Sequence, residues 1–254
     1  GALERLLGVL GADDSIGAVG PKLILADGST QLESARNLPT LGNMWPWLAL
    51  LDKLRHAALD RGVRTPVDHP PPPPKTLDGF NLLWWERDRS CDASCLSGAC
   101  MVMRREVVDR IGLLDEASPL YLDDMDYCKR IRDAGWRLRY VAEAEVTHLW
   151  EASTAPLRRQ GDFYALQCHA VWLYLRKHHG PRASLAFSAV ALAAVGFRAA
   201  VCGTASMLGG PRSRAEWRRR LAMTRGLFRW ARRFPKRAPR FGFAYEQALP
   251  GGDR

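Results

Sequence analysis

Leu96-Ser97-Gly98-Ala99-Cys100-Met101-Val102-Met103-Arg104-Arg105 opens the stretch that decides the fold. It continues through Ile111-Gly112-Leu113-Leu114-Asp115-Glu116 and Tyr121-Leu122-Asp123-Asp124-Met125-Asp126-Tyr127-Cys128-Lys129-Arg130. It closes on Ala134-Gly135-Trp136-Arg137-Leu138-Arg139-Tyr140 and a lone His148. Cys128 and Ile131 fall on one side of a helical repeat, while Lys129, Arg130, Arg132 and Asp133 fall on the other. The spacing predicts a helix over 123–134, ended by Gly135 in a left-handed cap. Around it, Cys100–Met103 reads as a buried strand and Arg105–Ile111 as a short helix. Trp136–Val141 and Glu145–His148 read as two further strands. Short strands alternating with helices indicate an α/β domain.

Working outward, Ala2–Leu10 has the pattern of the end of an amphipathic helix. Ile16–Val19 and Lys22–Leu25 are short apolar strands, Asp27-Gly28 is a turn, and Thr30–Glu33 returns as a polar, edge-like strand. Pro39–Pro46 is read as irregular and Trp47–Leu59 as a helix. Residues 61–76 form a proline-rich loop. Its five consecutive prolines, Pro70–Pro74, lack backbone donors and have fixed φ, so they must be extended at the surface. Phe163–His179 is a helix with Leu166, Ala170, Leu173 and Tyr174 on one face. No internal repeat is present.

The chain has 254 residues and a formal charge of +10, unevenly spread. Residues 212–240 hold twelve Lys or Arg against Glu216 alone, which leaves the remainder near neutral. Such a block implies an anionic partner for that segment. The six cysteines do not follow disulfide-scaffold or zinc-ribbon spacing, and Cys91, Cys95 and Cys100 read as free thiols. No Gly-rich phosphate loop, GxSxG elbow or HExxH helix is found.

Asp123, Asp124 and Asp126 are the candidates for chemistry. Carboxylates in a first turn also satisfy free N–H groups and complement the helix dipole, so alone they would signal only a cap. The flanking Ser97-Gly98-Ala99, Gly112-x-x-Asp115-Glu116 and Ala134-Gly135-Trp136 blocks shift the reading. Together these motifs resemble the second half of the nucleotide-sugar domain of family 2 glycosyltransferases, especially the rhamnosyltransferase-like members. The resemblance implies a GT-A fold and transfer from a nucleotide-diphosphate sugar donor to a glycan or lipid-linked acceptor. It places the catalytic base on Asp124, with Asp123 standing where a glutamate is common. Substrate contacts are implied for Ser97, Gly98, Ala99, Asp123 and Trp136. His148 falls where the family holds a histidine near the diphosphate and a divalent cation, Mg2+ or Mn2+. Asp126 is expected to pair with Arg130 one turn on, and Asp115 and Glu116 to brace the loop before the base. Asp124-Met125-Asp126 also spells DxD, but that nucleotide-binding motif should follow an apolar strand and precede the helix ending near Leu10. Residues 1–155 are therefore expected to be the C-terminal half of the domain, with the first, nucleotide-binding half lacking.

Residues 156–254 are expected to be a helical, basic tail. Ala183–Val195 is apolar on all sides but falls short of the ~20 residues needed to span a bilayer before Arg198. Trp217, Leu221, Phe228 and Ala231 form a stripe, widened by Leu227, Trp230 and Phe234, with arginines on the other faces. That pattern suits a helix lying on an anionic membrane surface through 183–240, at the cytoplasmic face. No nucleic-acid recognition motif is evident. Two other classes remain open: a nucleotidyltransferase-like enzyme of nucleotide sugars, and a non-enzymatic membrane or nucleic-acid binding protein.

Overall fold

A computed structural model describes residues 1–48, 80, 87–117, 121–149, 163–208, 214, 221 and 224–232. The elements are α1 (Ala2–Ala12), β1 (Ile16–Ile24), a 3-10 turn (Leu32–Ser34), β2 (Ala35–Arg36), α2 (Leu41–Leu48), β3 (Cys91–Asp92), β4 (Cys95–Leu96) and β5 (Val102–Met103). They are followed by α3 (Arg105–Ile111), α4 (Asp123–Asp133), β6 (Arg137–Thr147) and α5 (Phe163–Leu208). The helix expected over 47–59 beyond Leu48, and the proline-rich loop, lie outside the described residues.

Four strands form a mixed sheet in the order β3-β6-β1-β5, and β2 pairs with β4 in a second, antiparallel pair. β1 and β6 run parallel, and β3 and β5 flank them antiparallel. Parallel strands need cover on both faces, and the side chains comply. Leu6 and Leu10 of α1 pack on Ile16, Val19, Val141 and Ala144. On the other face Ala18, Leu138 and Tyr140 meet Met125, Cys128 and Ile131 of α4. The same core continues into α5 through Ala165, Ala170, Val171 and Leu175. The mixed sheet with helices on both faces is an α/β, GT-A-like architecture.

Several sequence expectations change in detail. Ile16–Val19 and Lys22–Leu25 belong to one strand that runs through Gly20 and Pro21. Pro21 sits where the β1–β6 register slips, from Pro21↔Val141 to Lys22↔Glu145, a place where a missing N–H is tolerated. The same slip had divided β6 into two apparent strands. The Cys100–Met103 strand shortens to Val102–Met103 and is half-buried. Thr30–Glu33 keeps one bridge, Ile24↔Thr30, before the 3-10 turn begins. Pro39–Pro46 is not irregular, since α2 begins at Leu41. Thr40 and Asn43 cap it reciprocally: the Thr40 N–H donates to Asn43 Oδ1 (2.8 Å) and the Asn43 N–H to Thr40 Oγ1 (3.2 Å).

Sequence analysis ends the fifth helix near His179, but α5 continues past a kink at Gly180 (φ 84°, ψ 174°) and Pro181. The helix folds back there. Trp230 is edge-on to both His169 (6.4 Å) and Phe187 (6.3 Å), and the charge of Arg198 reaches the Cys168 thiol. A straight helix would hold Cys168 and Arg198 about 45 Å apart. Residues 224–231 form a helical turn whose Leu227, Trp230 and Ala231 are buried, with Trp230 Nε1 donating to His169 Nδ1 (3.3 Å). Leu227, Trp230 and Ala231, read from the sequence as a membrane-facing stripe, therefore face protein. Phe228 remains exposed, and Trp217 and Phe234 lie outside the described residues.

Candidate active site

α4 runs antiparallel to β1 and β6. Gly17, near the start of β1, lies under Trp136 and Ile131, while Gly20 packs on Leu96, whose backbone contacts Cys128. The first turn of α4 therefore stands at the carboxyl ends of the parallel pair, where α/β sheets bind ligands. His148, directly after β6, stands at the same end.

Asp124 is held from three sides. The Gly98 N–H donates to its Oδ2 (3.1 Å), Arg36 Nη2 donates to the same oxygen (3.3 Å), and the Met125 N–H donates to Oδ1 (2.8 Å). A carboxylate offers about four acceptor sites, so at least one remains open. Gly98 and Ala99 form an exposed turn after β4, while Ser97 is buried and its Oγ accepts the Ala99 N–H (3.3 Å). A Cβ on Gly98 would sit 3.1 Å from Asp124 Cβ, so this glycine makes room for the aspartate itself. Arg36 comes from β2, is largely buried, and lies 5.8 Å from the Phe80 ring centroid. Sequence analysis missed it: it lies 88 residues from Asp124 and in no motif. Asp123 is adjacent, and burial, reinforced by the Asp124 charge, holds its carboxyl above the ordinary range. The preceding residues Tyr121 (φ 64°) and Leu122 (φ 65°) are left-handed without being glycine, and α4 has no side-chain cap. Non-glycine residues in this region carry strain that tends to concentrate at functional sites.

Asp126 pairs with Arg130 (2.9 Å), as the spacing predicts, but it also anchors α5. Its Oδ1 meets His178 Nε2 (2.7 Å) and Lys177 Nζ (2.8 Å). Burial acts to raise this carboxyl, yet hydrogen bonds from Lys177, His178 and Arg130 outweigh it and hold the group below the usual range. Lys177 also bonds Asp115 (2.5 Å), whose other oxygen accepts the Ala117 N–H (2.9 Å), so Asp115 ties the segment at Ala117 to α5. Arg130 completes the frame by donating to the carbonyls of Ile111 and Leu113. Between α4, residues 115–117 and α5 opens a cleft of about 320 Å3, walled by Leu122, Ala170, Leu173 and Tyr174.

The structure brings Ser97, Gly98, Ala99, Asp123 and Asp124 together. His148 joins them through a chain of bonds: its Nδ1 meets Gln31 Oε1 (2.7 Å), the Gln31 carbonyl accepts Ser34 Oγ (2.6 Å), and the Ser34 carbonyl accepts the Ser97 N–H (3.1 Å). Trp136 does not join them. It sits at the opposite end of α4, over Gly17, with the Arg110 guanidinium 5.1 Å from its ring centroid. Its place is in the packing that ends the helix, and it is removed from the substrate contacts expected of it.

Among the described residues no three His, Cys, Asp or Glu side chains form a group able to hold a metal ion. His148 Nδ1 meets Gln31 Oε1, and among the described residues no such group gathers around it for the divalent cation expected there. The cysteines are free thiols. Burial pushes Cys91 up to about 12, and a hydrogen bond with Cys128, then burial, raises Cys95 well above the ordinary thiol, which keeps both protonated.

Residues 79–162, the segment that carries β3 to β6 and Asp124, match the family model described as Glycosyltransferase like family 2. Over this segment the chain is similar to family 2 glycosyltransferases. It is 28% identical over 188 residues to the N-acetylglucosaminyl-diphospho-decaprenol L-rhamnosyltransferases of two strains of Mycobacterium tuberculosis, covering 70% of this chain and 52% of theirs. The chain thus spans about half the length of the curated relatives it matches.

Proposed function

We propose that the protein takes part in transfer of a hexosyl or rhamnosyl-type sugar from a nucleotide-diphosphate donor to a lipid-linked or polysaccharide acceptor, with inversion at the anomeric carbon. The observation that supports this reading most directly is the Asp124 carboxylate, immobilised by Gly98 and Arg36 with acceptor capacity to spare. In the proposed reaction the acceptor hydroxyl attacks the anomeric carbon on the face opposite the diphosphate. Asp124 accepts its proton, and the bond from that carbon to the phosphate oxygen breaks, its electron pair leaving with the nucleoside diphosphate. Asp123 and the Ser97-Gly98-Ala99 turn border the substrates, and no step is assigned to a metal. Among the described residues Arg36 sets a positive charge directly against Asp124.

In this reading residues 1–155 supply the donor and acceptor unit and 156–254 the membrane-associating part. The protein works peripherally at the cytoplasmic face of the membrane, where a water-soluble donor can meet a lipid-linked acceptor. The relatives act, by name, on a decaprenol-linked diphosphate, which favours this over a nucleotidyltransferase. The test is a transfer assay with a panel of nucleotide sugars and a polyprenyl-diphosphate glycolipid. Asp124→Asn should lower turnover by about 10²–10⁴ while leaving the circular dichroism spectrum unchanged. Near-normal turnover by that variant would remove Asp124 from the role.

A further inference from the structure

We infer that the second half of α5, residues 181–208, lies in the plane of an anionic bilayer with its outward face in contact with lipid. From Leu185 to Val201 its outward face lacks the polar residues that a helix on a water-soluble protein turns to solvent. The face turned toward the rest of the molecule carries Ser184, Ser188 and Arg198 beside Phe187, Ala191 and Val195. The outward face carries Leu185, Leu192, Phe197, Val201 and Met207, each 41–79% exposed, with small residues between them. No charged residue interrupts that face from Leu185 to Met207, a length of about 33 Å. Contiguous exposed apolar surface of this extent marks an interaction site.

Two features say what covers it. The twelve Lys and Arg of 212–240 follow α5 directly, and within them Arg225 and Arg232 are exposed on the turn that seats Trp230 against Phe187. An apolar face joined to a cationic one complements a bilayer with anionic headgroups. Length and apolarity alone would also let α5 cross a membrane, over Ala165–Thr204. The fold-back at Gly180 argues for lying flat, because the first half of α5 is fixed to α4 by Lys177 and His178 on Asp126. A crossing helix would drag that ionic cluster into hydrocarbon.

The inference rests on the membrane-proximal reading above and is independent of the chemistry at Asp124. Flotation with phosphatidylcholine vesicles, with and without phosphatidylglycerol, tests both. The wild type should float best with the anionic vesicles and keep a salt-resistant bound fraction. Leu192→Glu with Phe197→Glu, both on exposed positions, should lower partitioning by about a hundredfold at unchanged melting temperature. Arg225→Gln with Arg232→Gln should lower only the anionic-dependent part, by about tenfold. A nitroxide at Ala193→Cys, which adds no charge, should be reached by oxygen and shielded from a water-soluble relaxant. Failure of the wild type to float on any vesicle would overturn both readings. Flotation untouched by the paired glutamates, or a solution dimer that they dissolve, would overturn this inference and leave the transfer reading standing.

Discussion

The two ends of α4 are built on different principles. At its C-terminal end Gly135 takes the positive φ (97°), Trp136 closes over Gly17, and each residue adopts the conformation that suits its type. At its N-terminal end two non-glycine residues are left-handed, no side chain caps the helix, and three carboxylates crowd one turn. The charges there are met from β2 by Arg36 and from α5 by Lys177 and His178. One end follows local preference and serves stability. The other departs from it, and the departures collect where the chemistry is proposed.

Substitutions should separate the two ends. Asp124→Asn carries the largest expected effect, about 10²–10⁴ in transfer rate, with a stability loss of about 2–3 kcal/mol because Arg36 is left largely buried without its carboxylate. A variant that unfolded instead would make the N-terminal end structural and erase the contrast. Asp126→Asn should cost stability, about 2–3 kcal/mol in denaturant unfolding. That is less than a fully buried pair, since Lys177 remains partly solvated. Its carboxyl is depressed in the fold, so its contribution is present above the unfolded value near 4 and is lost as pH falls through the folded one. The wild type should therefore destabilise more steeply than Asp126→Asn in unfolding curves taken below about pH 4.

Gly17→Ala places a Cβ 2.6 Å from Trp136 Cβ and should destabilise by about 1–3 kcal/mol, with turnover per folded molecule unchanged. Turnover that fell with it would couple the two ends. The smallest effect is expected for Gly98→Ala, below about 1 kcal/mol in stability, since its Cβ would lie 3.1 Å from Asp124 Cβ. A several-fold loss of rate at unchanged melting temperature would sharpen the role of that turn in placing the carboxylate.

The difference between the ends also explains what could be read in advance. α3 and α4 were legible because their periodicity and glycine stops are local signals, and the Asp126–Arg130 pair follows from helix geometry alone. α2 was not, because Asn43 stands where a capping box usually has Glu or Gln, and Pro39 before it with Pro46 inside it suggested a loop. Arg36 and the Lys177–His178 contacts are long-range events, set by how β2 and α5 pack on α4. The continuation past Gly180 was hidden by Gly-Pro, ordinarily a stop, which here forms a hinge whose second arm is secured by Trp230 and Phe187.

The parallel pairing of β1 with β6 has a consequence for how the chain is made. Ile16 waits for Arg137, about 120 residues later. At roughly 5–20 residues per second, a ribosome would leave β1 without its partner for about 6–24 s. During that interval the edge of Ile16–Val19 that β6 will cover stays open, the kind of apolar strand edge that recruits neighbours on a polysome. Gly20 and Pro21, which follow at once, interrupt β pairing and limit how far a foreign strand can zip along it. The register slip in the finished sheet is thus also a guard on the nascent one.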